Sequence, residues 1–124
     1  MSEVAVQGCT ITFTDPTIQA VSIEVITPPS DKVSVNGRGV YFDSIDVLLT
    51  SLTKGALTCP TGTIPITGTA DNFISPASES GKSALQKGDK GSATLTFYDS
   101  NSNPQTVNVE IEITDAGQTD VTAS

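Results

Sequence analysis

The residues best suited to chemistry in this 124-residue chain are few, and the most versatile of them is absent. There is no histidine, which removes the commonest general base, the usual triad member and the commonest metal ligand together. Two cysteines, Cys9 and Cys59, are too few for a disulfide scaffold. Three states are open to them: buried free thiols, one Cys9–Cys59 disulfide, or two ligands of a soft metal. The last would need carboxylates or a partner chain to complete a tetrahedral zinc site. Ser80-Gly81-Lys82-Ser83 has the letters that end a phosphate-binding loop. The position that should hold the loop's first glycine is Pro76, and no helical pattern follows, so the required strand–loop–helix setting is missing. Asp43, Asp46, Asp71, Asp89 and Asp99 fall at or near turns, where an Asp side chain accepts backbone amides. No calcium-loop spacing occurs among them. The expectation is a chain with no catalytic residues, no cofactor and no resident metal, which works as a structural or binding part and not as an enzyme.

The elements that must carry these residues are strands. Val, Ile, Thr and Ser are abundant, Trp is absent and Gly and Pro number 10 and 7. Branched side chains suit a pleated surface, while Gly, Pro, Asn and Asp punctuate it. Residues 3–14 alternate around Gly8-Cys9, with Val4, Val6, Ile11 and Phe13 expected on one side and a bulge at the glycine. Residues 19–26 place Val21, Ile23 and Val25 on one face. Asn36-Gly37 between short apolar runs predicts a hairpin. Residues 45–49 and the pair Ile64 and Ile66 read as strand, 73–75 and 83–86 as short strands among loops. The stretches 92–98 and 105–114 form an alternating hairpin with Val107, Val109, Ile111 and Ile113 inward, and the tail adds a last short strand. Val47 to Thr53 is the one helix candidate, and its branched flanks argue against it. Eight to ten short strands in a single all-β domain spanning 1–124 imply a sandwich, a partial barrel or a β-prism.

Charge narrows the partners. Asp and Glu outnumber Lys and Arg by 14 to 6, a net charge of -8. That argues against a nucleic-acid backbone or an anionic membrane as partner. No apolar run reaches the roughly 20 residues of a membrane anchor, and the first residues carry no secretory pattern. The expected site of synthesis and folding is therefore a cytoplasm.

A weak internal repeat is visible. Residues 32–48 and 73–95 each show a short strand, a polar-Gly-basic turn, a short apolar strand, an Asp and another strand. The turns are Asn36-Gly37-Arg38 with Gly39, and Ser80-Gly81-Lys82; the acids are Asp43 and Asp89. The run from Val35 to Asp43, the ITGTA at 66–70 and the run from Ser80 to Asp89 resemble PAAR-like proteins, which cap the spikes of contractile phage tails and related injection machines. The resemblance covers about residues 30–98, with the closing DAGQT segment. It implies a small tapered β-cone or β-prism with an added hairpin at 92–114 or an added N-terminal strand pair. It also implies docking on a trimeric spike in a virion assembled in a host cytoplasm, with self-association open. The seven turn residues from Asn36 to Gly39 and Ser80 to Lys82 would then shape the cone. The family's Pro-Ala-Ala-Arg tetrad is absent, and so are the histidines that hold its tip zinc. A tip of this kind would be held by packing, a disulfide or another ion. Head-decoration and tail-tube proteins of virions, and a β-sandwich adhesion module, share the same low charge density and Thr-rich strands.

Overall fold

A computed structural model describes residues 2–30, 33–69, 84–118 and 122–123. Among them no helix forms. The described residues form ten strands: β1 (Ser2–Glu3), β2 (Thr10–Phe13), β3 (Ile18–Val25), β4 (Ser34–Val35), β5 (Arg38–Gly39), β6 (Ser44–Lys54), β7 (Leu57–Thr67), β8 (Lys90–Tyr98), β9 (Pro104–Asp115) and β10 (Thr122–Ala123). Six make one antiparallel sheet in the order β2-β9-β8-β7-β6-β3, and β1-β10 and β4-β5 are separate two-stranded pairs. The first and last strands of the six approach each other without pairing, so the sheet curls into a nearly closed barrel. Of the architectures the strand count allowed, the partial barrel is the one formed.

The barrel strands follow the alternation of their sequences. In β6, Ile45, Val47 and Leu49 are buried between exposed Ser44 and Asp46 and half-buried Leu48. The hairpin β8–β9 pairs Leu95 with Val107 and Ala93 with Val109, and it buries Phe97, Val109, Ile111 and Ile113 completely. The residues that a helix would have claimed, Val47 to Thr53, lie inside β6, where two ladders hold them.

One column of the sheet breaks the alternation. In β6 burial passes from Leu49 to Leu52, and in β7 from Cys59 to Ile64, yet the registers β3–β6 and β6–β7 are the same on both sides of the change. Val21, Ser51 and Pro60 face one another at that column, and Ser51 takes a left-handed φ of 53. Pro60 has no N–H to give to β6. The strands therefore rotate together by one residue's phase without slipping. This corrects the expectation for residues 19–26: Ile18 and Ala20 face the core before the column, and Val21, at the column, is 82% exposed. The second proline of β7 is placed differently. The Gly68 amide bonds to Asp43 O, 2.7 Å, and the two-residue period of the ladder then turns Pro65 away from β6 toward β8. There the ladder holds only the Thr58–Tyr98 pair. That gap also admits Gly91 of β8, which passes directly over the Pro65 carbonyl.

Residues 3–14 are not one bulged strand. Gly8 takes φ 95 and turns the chain between an extended segment at 4–6 and β2. Val4 and Val6 join a small cluster with Val35, Val40, Phe42 and Ala84, while Ile11 belongs to the main core and Phe13 packs against it.

Candidate functional site

The segment at 4–6 is one of three that meet at one end of the barrel. The others are 40–42 and 84–86. The bridges run Val6↔Val40, Phe42↔Ala84 and Gln86↔Val4. Each segment joins the next by its last residue and the previous one by its first. The central residues close a ring of hydrogen bonds: the Tyr41 amide donates to Ala5 O at 3.2 Å, Leu85 to Tyr41 O at 2.9 Å and Ala5 to Leu85 O at 2.8 Å. The cyclic order makes the ring a pinwheel with threefold pseudo-symmetry. Ala5, Tyr41 and Leu85 point into the main core and plug the barrel, while their neighbours fill the small cluster on the other side.

The symmetry extends beyond the ring. Each segment is followed by a residue of positive φ, Gly8, Asp43 or Gly88, and then by a barrel strand, β2, β6 or β8. These are alternate strands of the six. Each then returns through a turn as β3, β7 or β9. Ahead of the second segment lies the hairpin β4–β5, with Ser34 opposite Gly39; ahead of the first, β10 and β1 pair in the same way, Thr122 opposite Glu3. The split hairpin joins the two ends of the chain.

The turn residues singled out from the sequence fall at this end. Asn36 and Gly37 have φ 56 and 82, the two left-handed positions of a tight hairpin. Arg38 Nη1 donates to Gly117 O at 3.4 Å and lies 3.3 Å from where a Gly8 side chain would begin. A Cβ on Gly39 would sit 2.6 Å from Ser30 O. Arg38 and Gly39, whose carbonyl accepts the Gln7 amide at 2.9 Å, tie this hairpin to the turns at 8 and 117. Ser80, Gly81 and Lys82 lie outside the described residues, as do Asp71 and the strand expected at 73–75.

Asp15, Asp89 and Asp99 cap turns, whereas Asp46, expected near a turn, lies within β6. Asp15 accepts the Thr17 hydroxyl and amide, and Lys54 Nζ lies 3.3 Å away; the Thr17 bonds first, then Lys54, hold its carboxyl below the usual range. Asp99 accepts the amides of Asn101 and Asn103, and the Asn103 amide leads in lowering it. Asp89 is buried and accepts the Thr69 hydroxyl and the Gln86 amide. No group of three metal-ligating side chains forms among the described residues. Both cysteines are free thiols, so the disulfide alternative is not the one the structure holds. Cys59 is buried and donates to Thr61 O, while burial, aided by Asp115, pushes the Cys9 thiol up to about 11. A thiol that keeps its proton at neutral pH is a poor nucleophile.

The side wall carries the feature that sequence reasoning missed. Between β2 and β3 lie two adjoining cavities of about 500 and 410 Å³, both with Ile11 and Ile23 in their walls. No period in residues 10–25 marks it, because it arises from which strands fail to pair. No protein family, curated protein or solved structure matches the chain.

Proposed function

We propose that the chain is a non-enzymatic structural protein of a phage-type particle, a tip or cap that docks on a trimeric spike and resides in the virion. The observation that carries the reading is the closed ring of Ala5, Tyr41 and Leu85. A trimer offers three identical surfaces about an axis, and a monomer meets all three alike only if it repeats itself about that axis. This chain does so in one polypeptide. The turns opposite the ring, at 14–17, 55–56 and 99–103, supply three tips related by the same pseudo-symmetry. Rigidity suits the role: Asp15 and Asp99 each tie their own turn. The net charge of -8 disfavours nucleic acid and anionic lipid as alternatives.

The test is a thermal-shift titration with candidate spike proteins from the same source, with light scattering to count subunits. One cap per spike trimer and a raised melting temperature are expected, since a partner that binds only the folded state stabilises it. A stable homotrimer with no affinity for any spike would refute the cap and favour a head-decoration role.

A further inference from the structure

The gap in the barrel wall has the properties of an acceptor. The Ile26 amide donates to Asp46 O at 3.0 Å, so from the phase change at Val21 onward the antiparallel period gives Ser22 and Glu24 of β3 to β6. The N–H and C=O groups of Ile23 and Val25 are left facing the gap. On the other wall the Thr14 amide donates to Glu110 O at 3.1 Å, and the same rule leaves Ile11 and Phe13 facing inward. Two open edges thus converge on one cleft. Natural edges are blunted by lysine, proline, brevity or a cover. β3 is eight residues long, reads IQAVSIEV and has no Lys or Pro. Val21, Ile23 and Ile26 are 82%, 36% and 50% exposed along or just past it. The charged residues in the cavity walls, Asp15 and Glu24, are both acidic.

We infer that this seam accepts one extended segment of a partner protein as an added strand, apolar at alternate positions and carrying lysine or arginine. Main-chain bonds to Ile23 and Val25 would supply register, and the Ile11–Ile23 cavities would take its apolar side chains. Glu24 selects the basic residue, and it also disfavours a second copy of this chain, which would bring another Glu24 and another -8 of charge. The seam lies on the side wall, and its occupancy does not depend on the threefold docking proposed above.

The probe is a fluorescent peptide in which valine and threonine alternate between terminal lysines, titrated into the full chain at low salt. Saturable binding is expected. Ile23→Pro removes a donor that faces the seam and not β6, so the fold persists by circular dichroism while affinity falls about tenfold, the worth of one backbone hydrogen bond. Ile23→Val keeps the donor and keeps the affinity. Glu24→Lys reverses the preference toward a glutamate-ended version of the peptide. In hydrogen exchange the amides of Ile23 and Val25 become protected on binding, while those of Ser22 and Glu24 are protected throughout. Absence of saturable binding by the folded chain, or equal binding by Ile23→Pro, would overturn the inference. A peptide-free dimer abolished by Ile23→Pro would overturn its occupant and give the seam to a second copy.

Discussion

Replacing Gly91 by alanine should weaken the fold, against the usual sign for that change. Gly within a strand ordinarily loses about 0.5–1 kcal/mol relative to Ala because of its backbone freedom. At Gly91, however, a new Cβ would overlap the Pro65 carbonyl oxygen, stand 2.9 Å from the carbonyl carbon and 3.0 Å from Ile66 Cγ1. Carbon atoms in contact prefer about 3.5–4.0 Å, so the strands must part by at least ~0.6 Å, and further to clear the oxygen. Pro65 cannot yield alone, since its neighbours Ile64 and Ile66 are held in the β6 ladder. Overpacking of this kind costs about 1–3 kcal/mol, and main-chain obstruction places this case toward the upper end. For a domain of this size the melting temperature would fall by roughly 6–12 °C. Gly62→Ala is the control: its Cβ would meet Leu95 Cδ1 at 2.6 Å, the end of a side chain that can turn aside. Urea titrations with unchanged slope measure both. A midpoint for Gly91→Ala equal to or above wild type would refute the passage of β8 over Pro65, and with it the way the barrel is drawn together there.

Two further predictions follow from single residues. Gly37→Val should cost about 1–3 kcal/mol through φ 82 alone, because nothing lies within 4 Å of the new Cβ; an unchanged melt would show that the turn is not left-handed. The Cys9 thiol keeps its proton to about pH 11 when folded and loses it near 8.5 when unfolded. The unfolded chain therefore binds fewer protons between those values, and stability declines as pH rises through the window, by at most about 3 kcal/mol. Melting curves from pH 8 to 11 should slope less in Cys9→Ser, and equal slopes would count against a buried thiol.

What the sequence made legible was local. Asn36-Gly37 announced its hairpin because the two-residue turn needs left-handed φ and few residues reach it. The strands 92–98 and 105–114 announced themselves by clean alternation, and β8 and β9 contain them. The repeat was legible in its turns, since Asn36 and Ser80 are as far apart as Tyr41 and Leu85, while the paired acids Asp43 and Asp89 fall two residues out of that register. The third copy was not. Val4-Ala5-Val6 is apolar without a preceding glycine turn, because its hairpin is made by the two chain ends. Nor could the phase change at Val21, Ser51 and Pro60 be read, because each strand alone shows only one irregular step. The column becomes visible when the three are laid side by side.

The same comparison explains why the barrel is open where it is. The three repeats are equal at the ring and unequal in the wall. The second supplies strands of eleven residues each, and the third supplies nine and twelve. The first supplies four and eight. β2 spends its four residues on β9, ending where Asp15 turns the chain back. β3 spends one edge on β6. Nothing in the first repeat is long enough to join them, so the symmetric end is closed by backbone bonds and the side wall keeps a cleft. A protein that only had to be rigid would gain by sealing that cleft, since its exposed edge invites unwanted pairing. Leaving the Ile23–Val25 edge there, unguarded by lysine or proline, is a liability unless another chain covers it. On the two proposals made above, the threefold end and the open wall would serve two attachments of one small domain, one set by symmetry and the other by an unfilled place in the sheet.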